Sequence, residues 1–172
     1  MTSLSTRIAL LRGVNVGSAN RIAMPALRDA LTAAGFVRVR THGQSGNVVA
    51  DGDPDALIAE LRGIIDVPCV LRSVTAFDAA IAANPFAAQA AEDPPRLQVT
   101  FRGLPAQPGL EAALSAQARG GERVAVNGAE IYSWHPDGIA GSRLAEAVVP
   151  RGEAASSRNW NTVLAIAALA HA

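Results

Sequence analysis

Phe36-Val37-Arg38-Val39-Arg40-Thr41, then His42-Gly43-Gln44-Ser45-Gly46-Asn47, then Val48-Val49-Ala50 follow one another without a break. The first piece alternates β-branched residues with polar ones, the second is polar and glycine-bearing, and the third is a short apolar run. The stretch therefore reads as strand, connection, strand. Two consecutive strands between helices decide the fold, and helices are written on both sides. Upstream, Pro25 suits a first turn, Met24, Leu27, Leu31 and Ala34 form one stripe, and Gly35 ends it. Downstream, Asp53 caps a second helix with Pro54 behind it, and Leu57, Ile58, Leu61, Ile64 and Ile65 supply its buried face. Thr6–Arg12 before the first helix and Val67–Arg72 after the second read as the outer strands. The order is βαββαβ, the ferredoxin-like arrangement of two split βαβ units on an antiparallel sheet.

The pattern then begins again. A helix capped by Thr75 runs out at Asn84-Pro85, and the Ala/Glu/Asp/Pro stretch 87–95 reads as a join. Leu97, Val99 and Phe101 alternate as a strand, and Leu110–Ala118 is a helix ended by Gly120-Gly121. Arg123–Val126 and Glu130–Trp134 flank Asn127-Gly128, a hairpin signal in which both central positions tolerate positive φ. A helix around Ser142–Val148, a strand at Ala154–Arg158 and a C-terminal helix at Asn161–Ala170 complete the chain. The expected class is α+β: two ferredoxin-like subdomains with antiparallel sheets plus a C-terminal helix. The expected divisions are 1–84 for the first half, 85–95 for the linker and 96–172 for the second half.

Composition narrows the chemistry. Hydrophobic residues make up 49% but aromatics only 4%, so Ala, Val, Leu and Ile must fill the core. Fifteen basic residues balance fifteen acidic ones, and every basic residue is Arg. Any bound anion must be held by Arg forks, backbone N–H groups or neutral side chains, and a lysine Schiff base or lysine-dependent phosphate loop is excluded. A net charge of zero argues against a non-specific nucleic-acid coat, whose affinity scales with neutralised phosphates. Cys69, in an apolar run, is expected to be a buried thiol, and one cysteine cannot close an internal disulfide. The apolar run Ile8–Leu11 is broken at once by Arg12 and Gly13, too short for a membrane span. A cytoplasmic location with no membrane partner is the expectation.

Three polar segments are candidates for function. Arg12-Gly-Val-Asn15-Val-Gly17-Ser-Ala-Asn20-Arg21 is a strand feeding a Gly-rich loop before a helix, a layout that can offer backbone N–H groups to an anion. It lacks the closing Gly-Lys-Ser/Thr of a phosphate loop and the spacing of dinucleotide binders; the plainer reading is a wide turn. His42–Asn47 approximates a nucleophile elbow, but Gly43 and Gly46 stand one residue too close, and a binding or scaffolding role is favoured over catalysis. Ser156-Ser157-Arg158-Asn159-Trp160-Asn161 reads as the opening of the last helix, with Asn159 as cap, Trp160 as anchor and Arg158 as a cation suited to an anionic partner. His135-Pro136-Asp137-Gly138 is most simply a turn. The three histidines lie far apart without ligand-spaced Cys, Asp or Glu, so neither a metal nor a cofactor is expected.

Leu10-Leu11-Arg12-Gly13-Val14-Asn15-Val16-Gly17, Met24 to Leu31, Gln44-Ser45-Gly46-Asn47-Val48-Val49, Asn84-Pro85-Phe86 and Arg158-Asn159-Trp160-Asn161-Thr162-Val163, taken in order, resemble the bacterial family known as domain of unknown function 1697. The resemblance implies a pair of ferredoxin-like subdomains and carries no activity or substrate. The family often has a Lys after the Gly-rich stretch, where this chain has Arg21, and an aromatic and an aliphatic residue where this chain has His42 and Gly43. The leading functional expectation is a binding protein for a small phosphate- or carboxylate-bearing ligand. Its expected contacts are Arg12, Asn15, Gly17, Gln44, Ser45, Asn47, Arg158 and Asn159, with Asn20 and Arg21 beside them. The alternatives are a nucleic-acid-binding module, for which Phe36, Phe101, Tyr132 and Trp134 are the strand aromatics, and an enzyme using Ser45 or His42.

Overall fold

The computed structural model describes residues 4–172. They form two compact units: residues up to Ala79 together with Ala165–Ala172, and Ala80–Leu164. In the first unit β1 (Thr6–Leu11), β2 (Val37–His42), β3 (Asn47–Asp51) and β4 (Cys69–Ser73) make an antiparallel sheet in the order β2-β3-β1-β4. Helices α1 (Met24–Ala33) and α2 (Pro54–Ile64) lie on one face. Side chains alternate across a strand, so Ala9, Leu11, Val48 and Ala50 meet Leu27 and Leu31 of α1 and Leu57 and Leu61 of α2 in one buried core. Asp53 caps α2 by accepting from the Ala56 N–H at 2.9 Å, as its position implies.

The second unit repeats the plan. β5 (Leu97–Arg102), β6 (Arg123–Asn127), β7 (Glu130–Trp134) and β8 (Ala155–Asn159) take the order β6-β7-β5-β8. Between them run the short helices that in chain order are α5 (Leu110–Ser115) and α6 (Arg143–Ala147). Leu114, Ile131, Leu144 and Val148 form their common core. Each half is a four-stranded antiparallel sheet in the ferredoxin-like strand order. The remaining helices are α3 (Val74–Ala82), α4 (Ala87–Glu92) and the C-terminal α7 (Trp160–His171).

Several local expectations are corrected. The stretch 87–95 is structured, holding α4 and a 3-10 turn at Pro94–Arg96, because Ala-Ala-Gln-Ala-Ala-Glu is a run of good helix formers whatever its flanking prolines suggest. Ser156–Arg158 lies in β8, paired to β5 with Arg158 opposite Val99, as the strand expected at Ala154–Arg158 implies, and the last helix begins at Trp160. Asn127 pairs with Glu130, so the hairpin loop is Gly128-Ala129, and Gly128 alone takes positive φ, at 61°. That places glycine at the first central position, the requirement of a type II′ turn. Cys69 is half-buried at the start of β4 rather than buried.

Candidate functional site

The first polar segment is a small finger. Val16 and Ala19 bridge each other around Gly17-Ser18, and the Asn15 N–H closes the base on the Asn20 carbonyl at 3.0 Å. Asn15 and Asn20 both sit at positive φ, 55° and 50°, a conformation that asparagine tolerates because its short amide can bond locally. The Asn15 Nδ2 donates to the Ile22 carbonyl at 2.9 Å and to the Gln44 carbonyl at 2.8 Å, while its Oδ1 accepts from the Ile22 N–H at 2.9 Å. One side chain thereby joins the finger to the turn between β2 and β3.

That joint frames an open depression of about 510 Å³ lined by Asn15, Arg21, Ile22, Ala23 and Gln44. Arg21 donates Nε to the Gly17 carbonyl at 3.0 Å, which ties the guanidinium of this exposed residue to the finger. The Gln44 side-chain amide makes no hydrogen bond among the described residues. At the far wall Ala23 is the N-cap of α1; it offers no side-chain acceptor, and the first turn of the helix carries no acid. The first-turn N–H groups lack intrahelical partners by construction, and the helix dipole adds partial positive charge there.

Three of the residues expected from the sequence, Asn15, Arg21 and Gln44, therefore share one depression. Gly17 and Asn20 lie in the finger, where the Gly17 carbonyl holds Arg21 and the Asn20 Nδ2 reaches the Gly13 carbonyl at 3.4 Å. Arg12 is half-buried, and its N–H donates to the Pro68 carbonyl at 2.9 Å. Ser45 is exposed on the turn, whereas Asn47 is buried at the head of β3 with its Nδ2 on the His42 carbonyl at 3.0 Å. Arg158 and Asn159 belong to the second unit. Arg158 is buried on β8, with Nη1 on Ser156 Oγ at 2.7 Å and on the Ser157 carbonyl at 2.8 Å. Asn159 caps α7 by accepting from the Thr162 N–H at 3.0 Å, the role its place in the sequence suggests. Phe101 and Tyr132 are wholly buried and offer no face for stacking a base.

Sequence reasoning missed a second cluster, in the second unit. His135 is completely buried; its Nδ1 faces Glu122 Oε1 at 2.9 Å and its Nε2 faces Ser133 Oγ at 2.9 Å. The Ser142 hydroxyl donates to the same Glu122 oxygen and accepts from the Ala145 N–H, capping α6. Ser133–His135–Glu122 has the connectivity of a hydrolytic triad, but the Ser133 hydroxyl has no exposure and cannot meet a substrate. Burial pushes the Glu122 carboxyl up, and the hydrogen bonds from Ser142, His135 and the Arg119 N–H outweigh it, holding the group below its ordinary 4.5.

The relatives agree with this architecture. A conserved bacterial protein from Streptococcus pneumoniae, SP0830, has a solved structure that superposes with a TM-score of 0.76 over 98% of this chain and 99% of its own, at 21% identity. That likeness is one of fold. No curated protein matches the chain by sequence. With residues 4–132 matching the family model, the chain belongs to the family of proteins of unknown function DUF1697.

Proposed function

We propose that this protein binds a small anionic molecule, bearing phosphate or carboxylate, in the depression of its first unit, and that it does so in the cytoplasm. The observation that carries the reading is the meeting of the exposed Arg21, the unengaged Gln44 amide and the side-chain-uncapped N-terminus of α1 around one cavity. The guanidinium, the NH2 of the Gln44 amide and the helix N–H groups all donate, and a ligand bearing acceptors satisfies them. Without lysine, Arg21 is the cation the lining provides. Asn15 has committed its amide to backbone groups and acts as the frame that joins the finger to the turn carrying Gln44. A cavity of about 510 Å³ is within the range of small-molecule sites and exceeds what inorganic phosphate needs.

A thermal-shift panel of inorganic phosphate, nucleoside monophosphates, sugar phosphates and small carboxylates tests this, with Arg21→Gln and Gln44→Ala alongside. A ligand at about a hundred times its Kd adds roughly 2.7 kcal/mol, a rise of roughly 5–10 °C for a chain of this size. The rise should vanish in Arg21→Gln and shrink in Gln44→Ala. A panel with no rise, or a rise that survives Arg21→Gln, overturns the reading.

A further inference from the structure

The second unit holds a depression of its own, about 270 Å³, between the turn that precedes β6 and the loop that leads into α6. Glu122 and Ser142 form its inner wall, and Arg119, Asp137 and Arg143 bring charge to its rim. Two features set it apart from an ordinary polar surface.

The first is the state of the Glu122 carboxylate, whose side chain is only 9% exposed. A carboxylate can only accept, so His135 must present its Nδ1–H to Oε1, and its Nε2 is left to pair with Ser133. Ser142 adds a hydroxyl to Oε1, and the Arg119 N–H reaches Oε2 at 2.9 Å. The Arg119 guanidinium is turned away, its Nη1 donating to the Ala116 carbonyl at 3.0 Å and the Ala118 carbonyl at 2.8 Å. The wall of the depression thus carries a carboxylate held by an imidazole, a hydroxyl and a backbone N–H, and Oε2 has accepting capacity left. Burying such a charge and an imidazole is costlier than filling the same volume with aliphatic side chains.

The second is the rim. Asp137 and Arg143 are both exposed, bear opposite charge, and form no ion pair with each other or with any other described residue. The lining brings both signs of charge to the depression, the carboxylates of Glu122 and Asp137 and the guanidinium of Arg143, while that of Arg119 is engaged by backbone carbonyls. A matching guest carries both a cationic and an anionic group.

We propose that this depression is a binding site for a small zwitterion of the amino-acid class, its ammonium group set between Glu122 and Asp137 and its carboxylate on the Arg143 guanidinium. An ammonium has three donors, enough for Glu122 Oε2 and an Asp137 oxygen together, and a guanidinium matches a carboxylate with two parallel bonds. His135, Ser133 and Ser142 are positioning residues that fix the Glu122 oxygens. The site lies within the second unit and is independent of the anion site proposed for the first.

Heteronuclear NMR of the full chain tests this through the amides of Gly120, Gly138 and Gly141, all of which line the depression. The probes are glycine, β-alanine, γ-aminobutyrate and ε-aminocaproate, which step the charge separation outward, with ethylamine and propionate carrying one charge each. The expected result is saturable movement of those glycine signals with at least one zwitterion, at least about tenfold tighter than with either singly charged probe. Asp137→Asn and Arg143→Gln, both at exposed positions and so expected to fold, should each weaken that binding by about tenfold or more. No movement with any zwitterion, equal binding by ethylamine or propionate, or unchanged affinity in both variants overturns the proposal.

Discussion

Asn15 and Gln44, 29 residues apart in sequence, are joined by a hydrogen bond of 2.8 Å from the Asn15 side chain to the Gln44 carbonyl. The same amide also exchanges two bonds with Ile22. Asn15→Ala should strand two carbonyls and one N–H, at a cost of about 1–3 kcal/mol. Chemical denaturation reads this as a lower midpoint at unchanged m-value. Asn15→Asp keeps the acceptor for the Ile22 N–H and loses the donor, so it should also fall below wild type. Ligand affinity at the neighbouring Arg21 should weaken in both variants, because the frame and not a direct contact has been removed.

Glycines in the turn between β2 and β3 should differ sharply in tolerance. Gly43 and Gly46 both hold positive φ, 63° and 80°. A Cβ at Gly43 meets nothing within 4 Å, whereas one at Gly46 would lie 2.8 Å from Leu11 Cβ and 3.1 Å from a Val14 methyl. Gly43→Ala should cost about 1–2 kcal/mol, the backbone penalty alone. Gly46→Ala adds a collision with the core and should exceed it by roughly 1–3 kcal/mol. Equal melting temperatures for the two variants would contradict the packing described.

Arg38 stands at a bulge in β2, at φ 49°, and its Nε donates to Asp51 Oδ2 at 2.6 Å. Thr6 Oγ1 donates to the other Asp51 oxygen at 2.7 Å. Burial pushes the Asp51 carboxyl up, but the bonds from Arg38 and Thr6 prevail and hold it below its ordinary 3.8. A carboxyl depressed by folding contributes stability that is complete above its unfolded value and disappears as pH falls through its folded one. Asp51→Asn should therefore be less stable than wild type at neutral pH, and the gap should close in acid. Denaturant midpoints measured along that range check it.

How much of this could be read from the chain depends on how local the cause is. Period-two runs such as Leu97, Val99 and Phe101 and the helical stripe through Leu27 and Leu31 act within a few residues, and they led to both sheets. The Ala-rich segment 87–95 owes α4 to helix propensity, a signal that its flanking prolines and acids mask in the sequence. Arg158 and Asn159 carry two signals at once, the end of a strand and a helix cap; that β8 runs on into the cap itself depends on pairing with β5, which no local pattern records. The polar finger was found, since Asn and Gly at strained dihedrals advertise themselves. Its internal division of labour, with Asn15 as frame and Arg21 as donor, rests on bonds to backbone carbonyls that side-chain identity does not reveal. Ser133 and His135 share the strand period of two, but Glu122 and Ser142 come from other segments, and only the fold of the second unit assembles the four.

The Glu122 cluster yields a sharper acid test than Asp51, because a cap depends on it. Ser142 accepts from the Ala145 N–H and gives its own hydrogen to Glu122. Ser142→Ala removes both, and loss of the cap alone should cost about 0.5–2 kcal/mol. Glu122→Gln keeps the size and one acceptor but removes the charge. Since folding lowers the Glu122 carboxyl below 4.5, its contribution is fully present above that value and is lost as pH falls through the folded one. Stability curves of wild type and Glu122→Gln should thus stand apart at neutral pH and converge in acid. In Ser142→Ala the carboxyl loses a donor that lowers it, so convergence with the doubly substituted Ser142→Ala, Glu122→Gln chain should begin at higher pH. A pH-independent gap between wild type and Glu122→Gln would mean that the carboxylate charge is not what the cluster holds.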